Sequence, residues 1–150
     1  MEEAALYEEK KTMTHAFTWV ELPSTDFDRA VDFYSEITGR DIDVYDPEEE
    51  DSQNGRAGMF HTEDGDVGGM ILENEEFTAE SGATIPYTPT VDSGPVVYLT
   101  VDGDLDTALS HVESSGGEVL IPKENIPEMD SYYAVVADTE GNRVGLTSST

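Results

Sequence analysis

Asp26-Phe27-Asp28-Arg29-Ala30-Val31 and Asp104-Leu105-Asp106-Thr107-Ala108-Leu109 decide the fold, because they carry the same pattern twice. Each places acids and a capping residue where the dipole of a helix N-terminus favours negative charge. The first helix ends at Gly39 and the second at Gly117. Each follows an apolar strand-like run, Phe17 to Leu22 and Val96 to Val101. Each precedes further strand signals around a tight turn, Glu63-Asp64-Gly65-Asp66 in one half and Thr139-Glu140-Gly141-Asn142 in the other. A repeated strand–helix–strands unit constrains topology more than any single motif. The pattern predicts an α+β fold, two βαβββ modules forming a curved mixed-sheet cup with the helices outside.

Working outward, the chain divides into one domain with a first module at about 15–72, a linker at 73–94 and a second module at about 95–148. Residues 1–13 read as a charged arm. Pro23 ends the first strand, and Ala30, Phe33, Tyr34 and Ile37 lie at helical spacing, so they form the buried stripe. Ile42 to Tyr45 reads as a short strand, Asp46 to Gln53 as an acidic loop, and Ala57–His61 with Val67–Leu72 as a strand pair. The linker is rich in Glu, Thr, Ser and Gly. It reads equally as a cover over a cavity and as a solvated tether. In the second module Glu118–Ile121 reads as a strand, Lys123–Asp130 as a loop fixed by Pro122 and Pro127, and Tyr132–Ala137 with Arg143–Thr147 as the closing pair.

Charge is the extreme property. There are 34 Asp and Glu against 7 Lys and Arg, a formal charge of −27. Such a surface repels itself in dilute buffer. At molar salt the Debye length falls to about 3 Å and the repulsion is screened. The regular apolar patterning opposes a disordered reading. The composition therefore predicts a hydrated surface suited to a salt-rich cytoplasm, as in haloarchaeal proteins. Nucleic acid is an unsuitable partner, since phosphate must be neutralised by Lys and Arg, and an anionic membrane repels this surface. No apolar run is long enough to span a bilayer. The acidic start Met1-Glu2-Glu3-Ala4-Ala5-Leu6 lacks the features of a secretory signal, so a cytoplasmic location is expected. Cysteine is absent, which removes disulfides, thiolate zinc sites and cysteine nucleophiles.

Trp19-Val20-Glu21-Leu22 with Asp26 to Tyr34, and Asp138-Thr139-Glu140-Gly141-Asn142-Arg143-Val144-Gly145-Leu146, resemble the first strand and helix and the closing hairpin of the vicinal oxygen chelate superfamily. That superfamily includes glyoxalase I, extradiol dioxygenases, and bleomycin- and fosfomycin-resistance proteins. The resemblance spans about residues 15–148. Trp19 to Leu22 and Gly68-Gly69 are most similar to the glyoxalase-like or antibiotic-resistance-like subgroup. The resemblance implies a homodimer and, in metal-binding members, His, Glu or Gln at four strand positions. Those positions fall here on Trp19, Gly69, Val96 or Val97, and Gly145, none of which can ligate a divalent cation. No cofactor is therefore expected, while a divalent metal at a non-standard site stays open.

Strand alternation predicts the cup lining. Trp19 and Glu21 share a face, as do Met59 and His61, and Val96, Tyr98 and Thr100. Met70 lies beside Gly69, read as inward, and Tyr133 or Tyr132 sits on the matching strand of the second half. Glycine at both closing-strand positions widens the cup. An aromatic and methionine lining suits a flat or apolar small molecule. Glu21 is the candidate general base or acid, because enclosure by Trp19 and Tyr98 disfavours its charged form; a half-exposed or backbone-bonded carboxylate is the plainer reading. His61 is read first as structural, second as a partner for Glu21. Lys123 either steers an anionic ligand at the rim or pairs with Glu124 or Glu128. Arg29 and Arg143 hold surface carboxylates, His111 is solvated, and His15 marks the strand entry.

The sequence thus predicts a glyoxalase-like protein that binds a small apolar or aromatic molecule without the usual metal, through Trp19, Met59, His61, Met70, Tyr98, Tyr133 and Lys123. One alternative is a lyase or isomerase of the same superfamily with Glu21 as base. The other is a non-catalytic regulatory module whose cup is filled by side chains. The scaffold alone does not choose between them.

Overall fold

A computed structural model describes residues 15–47 and 55–150. The charged arm 1–13 and the acidic run Glu48-Glu49-Glu50-Asp51 lie outside the described residues. In the first module β1 (Trp19–Pro23) leads to helix α1 (Phe27–Thr38), then β2 (Ile42–Tyr45), β3 (Ala57–Phe60) and β4 (Gly68–Leu72). A hairpin follows, β5 (Glu76–Thr78) and β6 (Thr84–Pro86). The second module runs β7 (Val97–Thr100), α2 (Leu105–Val112), β8 (Glu118–Ile126), β9 (Ser131–Ala137) and β10 (Arg143–Ser148). The two four-stranded sheets have the same order, β1-β4-β3-β2 and β7-β10-β9-β8, with the first and last strands of each module parallel. This is the duplicated α+β architecture expected from the repeat.

The repeated Asp does the same work twice. Asp26 caps α1 by accepting from the Arg29 backbone N–H at 3.2 Å, and Asp104 caps α2 by accepting from Thr107 at 2.8 Å. These bonds satisfy donors that a helix start leaves open. Gly39 stops α1 in the left-handed region at φ 68°, with its N–H on the Ser35 carbonyl. The second helix stops short of Gly117: it ends at Val112, and turns carry the chain from there to Gly116.

Each helix covers one face of a sheet. Ala30, Phe33, Tyr34 and Ile37 are buried with Leu105, Ala108 and Val112 in one core that runs through both modules. Burial of a large apolar side chain contributes about 1.5–3 kcal/mol. That scale explains why the apolar stripe of α1, rather than its charged outer face, fixes the helix. The opposite face of each sheet is left without a helix, and the candidate site lies on these bare faces.

Two readings of the second half and the linker change. The segment 73–94 is not without structure, because Phe77 pairs with Ile85 in the β5–β6 hairpin and its ring stacks on Tyr87 at 6.0 Å. The loop expected at Lys123–Asp130 is largely strand, since β8 continues to Ile126. Pro122 falls within the register shift between Ile121 and Glu124, and β8 is an edge strand. Those are the places where a missing N–H costs least.

The modules are joined at the closing turn. Asp138 Oδ1 accepts from the backbone N–H groups of Glu140 and Asn142, while its Oδ2 accepts from Tyr34 Oη at 2.5 Å. Asn142 Nδ2 reaches the Pro23 carbonyl at 2.7 Å. Glu140 Oε1 accepts from the backbone of Thr25 and Asp26, and Oε2 pairs with Arg29 Nε at 2.8 Å. Arg29 thus holds a buried carboxylate in the other module, not a surface one. Arg143 donates to the Gly94 carbonyl.

Candidate functional site

The parallel registers place aromatic rings over glycines at equivalent points of the two modules. Trp19 lies opposite Gly68, and Tyr98 opposite Gly145. A Cβ on Gly68 would stand 3.0 Å from the Trp19 ring, and one on Gly145 would fall within the Tyr98 ring. The glycines therefore do not widen a cup. They give their space to the neighbouring ring, which lies flat across the strand. Trp19 and Tyr98 are 45% and 50% exposed, so each offers a ring face to a ligand.

Gly69 is corrected in the same way. A Cβ there would meet the Val20 carbonyl and side chain, on the face opposite Trp19. Gly68 and Met70 are the residues on the Trp19 face. The row Glu21, Met70, Met59 and Asp43 then crosses the first sheet on its bare side.

Glu21 is half-buried, and its Oε1 accepts from the Tyr87 hydroxyl at 2.5 Å. The hydrogen bond to Glu21, and then burial, push the Tyr87 phenol up to about 12. Trp19, Glu21 and Tyr87 line a cavity of about 430 Å³ with Pro23 and Pro86. Tyr98 is not part of that wall, so Trp19 and Tyr87 flank Glu21 rather than Trp19 and Tyr98. Tyr87 was invisible as a site residue because it sits just past a hairpin with a single apolar residue in each strand. The only local signal was the Gly82 turn between Phe77 and Ile85.

On the second sheet Tyr98 and Tyr133 meet edge to face, with centroids 6.3 Å apart. With Thr100, Thr147, Ile126 and Met129 they line a mainly apolar cavity of about 660 Å³. Ile126 and Met129 join it because β8 is longer than expected, which the sequence reading missed.

Two expected members leave the site. Lys123 is on the helix side, paired with Asp106 of α2 at 3.1 Å and lying 4.3 Å from the centre of the Tyr132 ring. It meets neither Glu124 nor Glu128 there, nor a rim. His61 is exposed at the end of β3 and lines a separate cavity at the seam of the modules, away from Glu21. His111 pairs with Glu36 at 3.3 Å on the helix surface.

Trp19, Gly68, Gly69, Val96, Val97 and Gly145 bring no ligating side chain. Among the described residues no group of three His, Cys, Asp or Glu converges on one point.

The family model of the Glyoxalase/Bleomycin resistance protein/Dioxygenase superfamily matches residues 16–146. The chain belongs to this superfamily. No curated protein sequence matches it. Its fold is similar to that of a glyoxalase/bleomycin resistance protein from Albidiferax ferrireducens T118, with a TM-score of 0.59 and 16% identity over 89% of this chain and 98% of that one. TnmS3, an antibiotic binding protein from Streptomyces sp. CB03234, gives a TM-score of 0.55 and 20% identity over 91% of this chain and 97% of that one. A V278E mutant of glyoxalase I from Zea mays gives 0.58 and 20% over 88% of this chain but 45% of that longer one. At these identities the likeness is one of fold. Among the described residues no helix is long and apolar enough to cross a membrane.

Proposed function

We propose that this protein binds a flat, apolar or aromatic small molecule on its bare sheet faces without a metal, in the manner of the antibiotic-binding members of its superfamily. The observation that carries this reading is the pair of ring-over-glycine platforms, Trp19 on Gly68 and Tyr98 on Gly145. Exposed aromatic faces beside Met59, Met70 and Tyr133 stack on a planar ligand at little entropic cost. We take residues 15–148 as one binding domain, acting as a homodimer in a salt-rich cytoplasm. The test is a titration with planar aromatic antibiotics followed by calorimetry. Replacing Trp19 or Tyr98 by alanine should weaken binding by about tenfold or more, since a stacked ring contributes about 0.5–1.5 kcal/mol beyond its buried area. Unchanged affinity in both variants would sink the reading.

A second reading is favoured by one observation, the short bond from Tyr87 to Glu21 beside the Trp19 cavity. In a lyase or isomerase, Glu21 would take a proton from a bound substrate while Tyr87 positions it. Glu21→Gln should then abolish turnover and leave ligand affinity similar. In a pure binding protein no turnover exists to lose. The regulatory reading, which needs a filled cup, is disfavoured by the open cavities beside Trp19 and Tyr98.

A further inference from the structure

The seam between the modules holds a cavity of about 510 Å³. Its wall sets Val20, Phe60 and Leu99 beside Arg40, His61 and Thr62. Arg40 follows the left-handed cap at Gly39, and its Nε donates across the seam to the Thr100 carbonyl at 3.0 Å. That bond holds Nε and leaves both Nη groups without a hydrogen-bond partner among the described residues.

The electrostatic setting makes this unusual. The chain has 34 acids for 7 bases. Arg29, Arg56 and Lys123 each rest on a carboxylate. Arg40, like Arg143, which donates to the Gly94 carbonyl, has no ion pair among the described residues, although carboxylates outnumber it heavily. Among the described residues the one carboxylate in the cavity wall is that of Asp66, whose Oδ2 accepts the Glu63 backbone N–H in its own turn at 3.2 Å. The result is a half-buried guanidinium, held at Nε, in the wall of a half-open cavity of mixed polar and apolar lining, where it can make a charge-assisted bond. A net charge of −27 opposes multiply charged ligands, and the wall offers one guanidinium.

We propose that the seam cavity is a second binding site, for an organic monoanion with an apolar body. The Arg40 Nη groups hold its carboxylate in bidentate fashion, the Thr62 hydroxyl stands beside it, and Val20, Phe60 and Leu99 cover the body. This cavity adjoins the bare-face platforms, since Gly68 and Tyr98 also line it; stacking on Trp19 and Tyr98 does not require Arg40, so loss of an Arg40-dependent preference would leave that reading intact.

The test uses 1-naphthoate and its neutral counterpart 1-naphthamide, titrated by calorimetry into the full chain in one potassium chloride buffer. Naphthoate should bind about tenfold or more tightly than the amide, and Arg40→Gln should remove that preference. Should that variant not fold, NMR of the unaltered protein decides. Naphthoate should shift the Arg40 Nε–H and the Leu99 and Thr62 amides. Equal affinities, a preference that survives in Arg40→Gln, no measurable naphthoate binding, or shifts confined to Trp19 and Tyr133 would each overturn the proposal.

Discussion

Two glycines separate a local crowding that can relax from one that cannot. The atoms nearest to a Cβ at Gly145 all belong to the Tyr98 ring, which is half exposed and can swing into solvent. A Cβ at Gly117 would stand 2.7 Å from the Ala137 carbonyl and 2.7 Å from the Phe33 ring, which is fully buried. Gly117→Ala should therefore destabilise by about 1–3 kcal/mol. Gly145→Ala should change stability by less than about 1 kcal/mol while displacing Tyr98 and weakening ligand binding. Thermal melts paired with ligand titration separate the two outcomes, and equal destabilisation would refute the distinction. The sequence marked Gly145 as special but gave it the wrong consequence. Alternation says which face a residue is on; only neighbouring coordinates say which ring occupies the space.

At the scale of elements, the β5–β6 hairpin acts as a strap between the modules, fastened to the first sheet through Tyr87 and Glu21. Removing the hydroxyl in Tyr87→Phe should cost about 1 kcal/mol and speed hydrogen exchange across residues 76–86. Exchange that stays unchanged would mean the strap is held by Phe77 stacking alone. The pH dependence has a definite sign. The phenol's value rises from 10.0 to about 12 in the fold, so the contribution of this bond is complete below 10.0 and disappears as the pH rises through about 12. The helices, their caps and most strand centres were legible because each is a local pattern of period two or near four. The hairpin was not, since three-residue strands carry too few apolar positions to show a period. The extension of β8 was not, since Pro122 reads as a break unless the strand is known to lie at an edge.

For the whole molecule, two electrostatic forces of different range act on the same fold. The diffuse repulsion of −27 charges is screened by salt. The Glu140 cluster joining the modules is enclosed and is screened much less. Burial pushes the Glu140 carboxyl up, but hydrogen bonds from Arg29, Thr139 and the backbone of Asp26 and Thr25 outweigh it and bring the group from 4.5 to about 2. A depressed value means its stabilisation is complete above about 4.5 and lost as pH falls toward 2. Melting temperature should therefore rise steeply from dilute to molar potassium chloride near neutral pH. Glu140→Gln should lower stability by about 3 kcal/mol at neutral pH in either salt, and the variant should lose less on acidification. A melting temperature independent of salt would remove the case for a salt-adapted surface, and a variant as stable as the parent would remove Glu140 as the joint.

The sequence by itself determined the duplication, the two capped helices, the α+β class and the family, because these rest on local periodicity and on short motifs whose chemistry is complete within a few residues. It also determined the extreme charge, which is a sum and needs no coordinates. Only the tertiary structure decided that the closing turn clasps the other module, that Tyr87 meets Glu21, that Lys123 turns to the helix side and that Arg40 stands at the seam without an ion pair among the described residues. Each of those facts depends on which distant segments meet, and that is set by the packing of two sheets around one shared core.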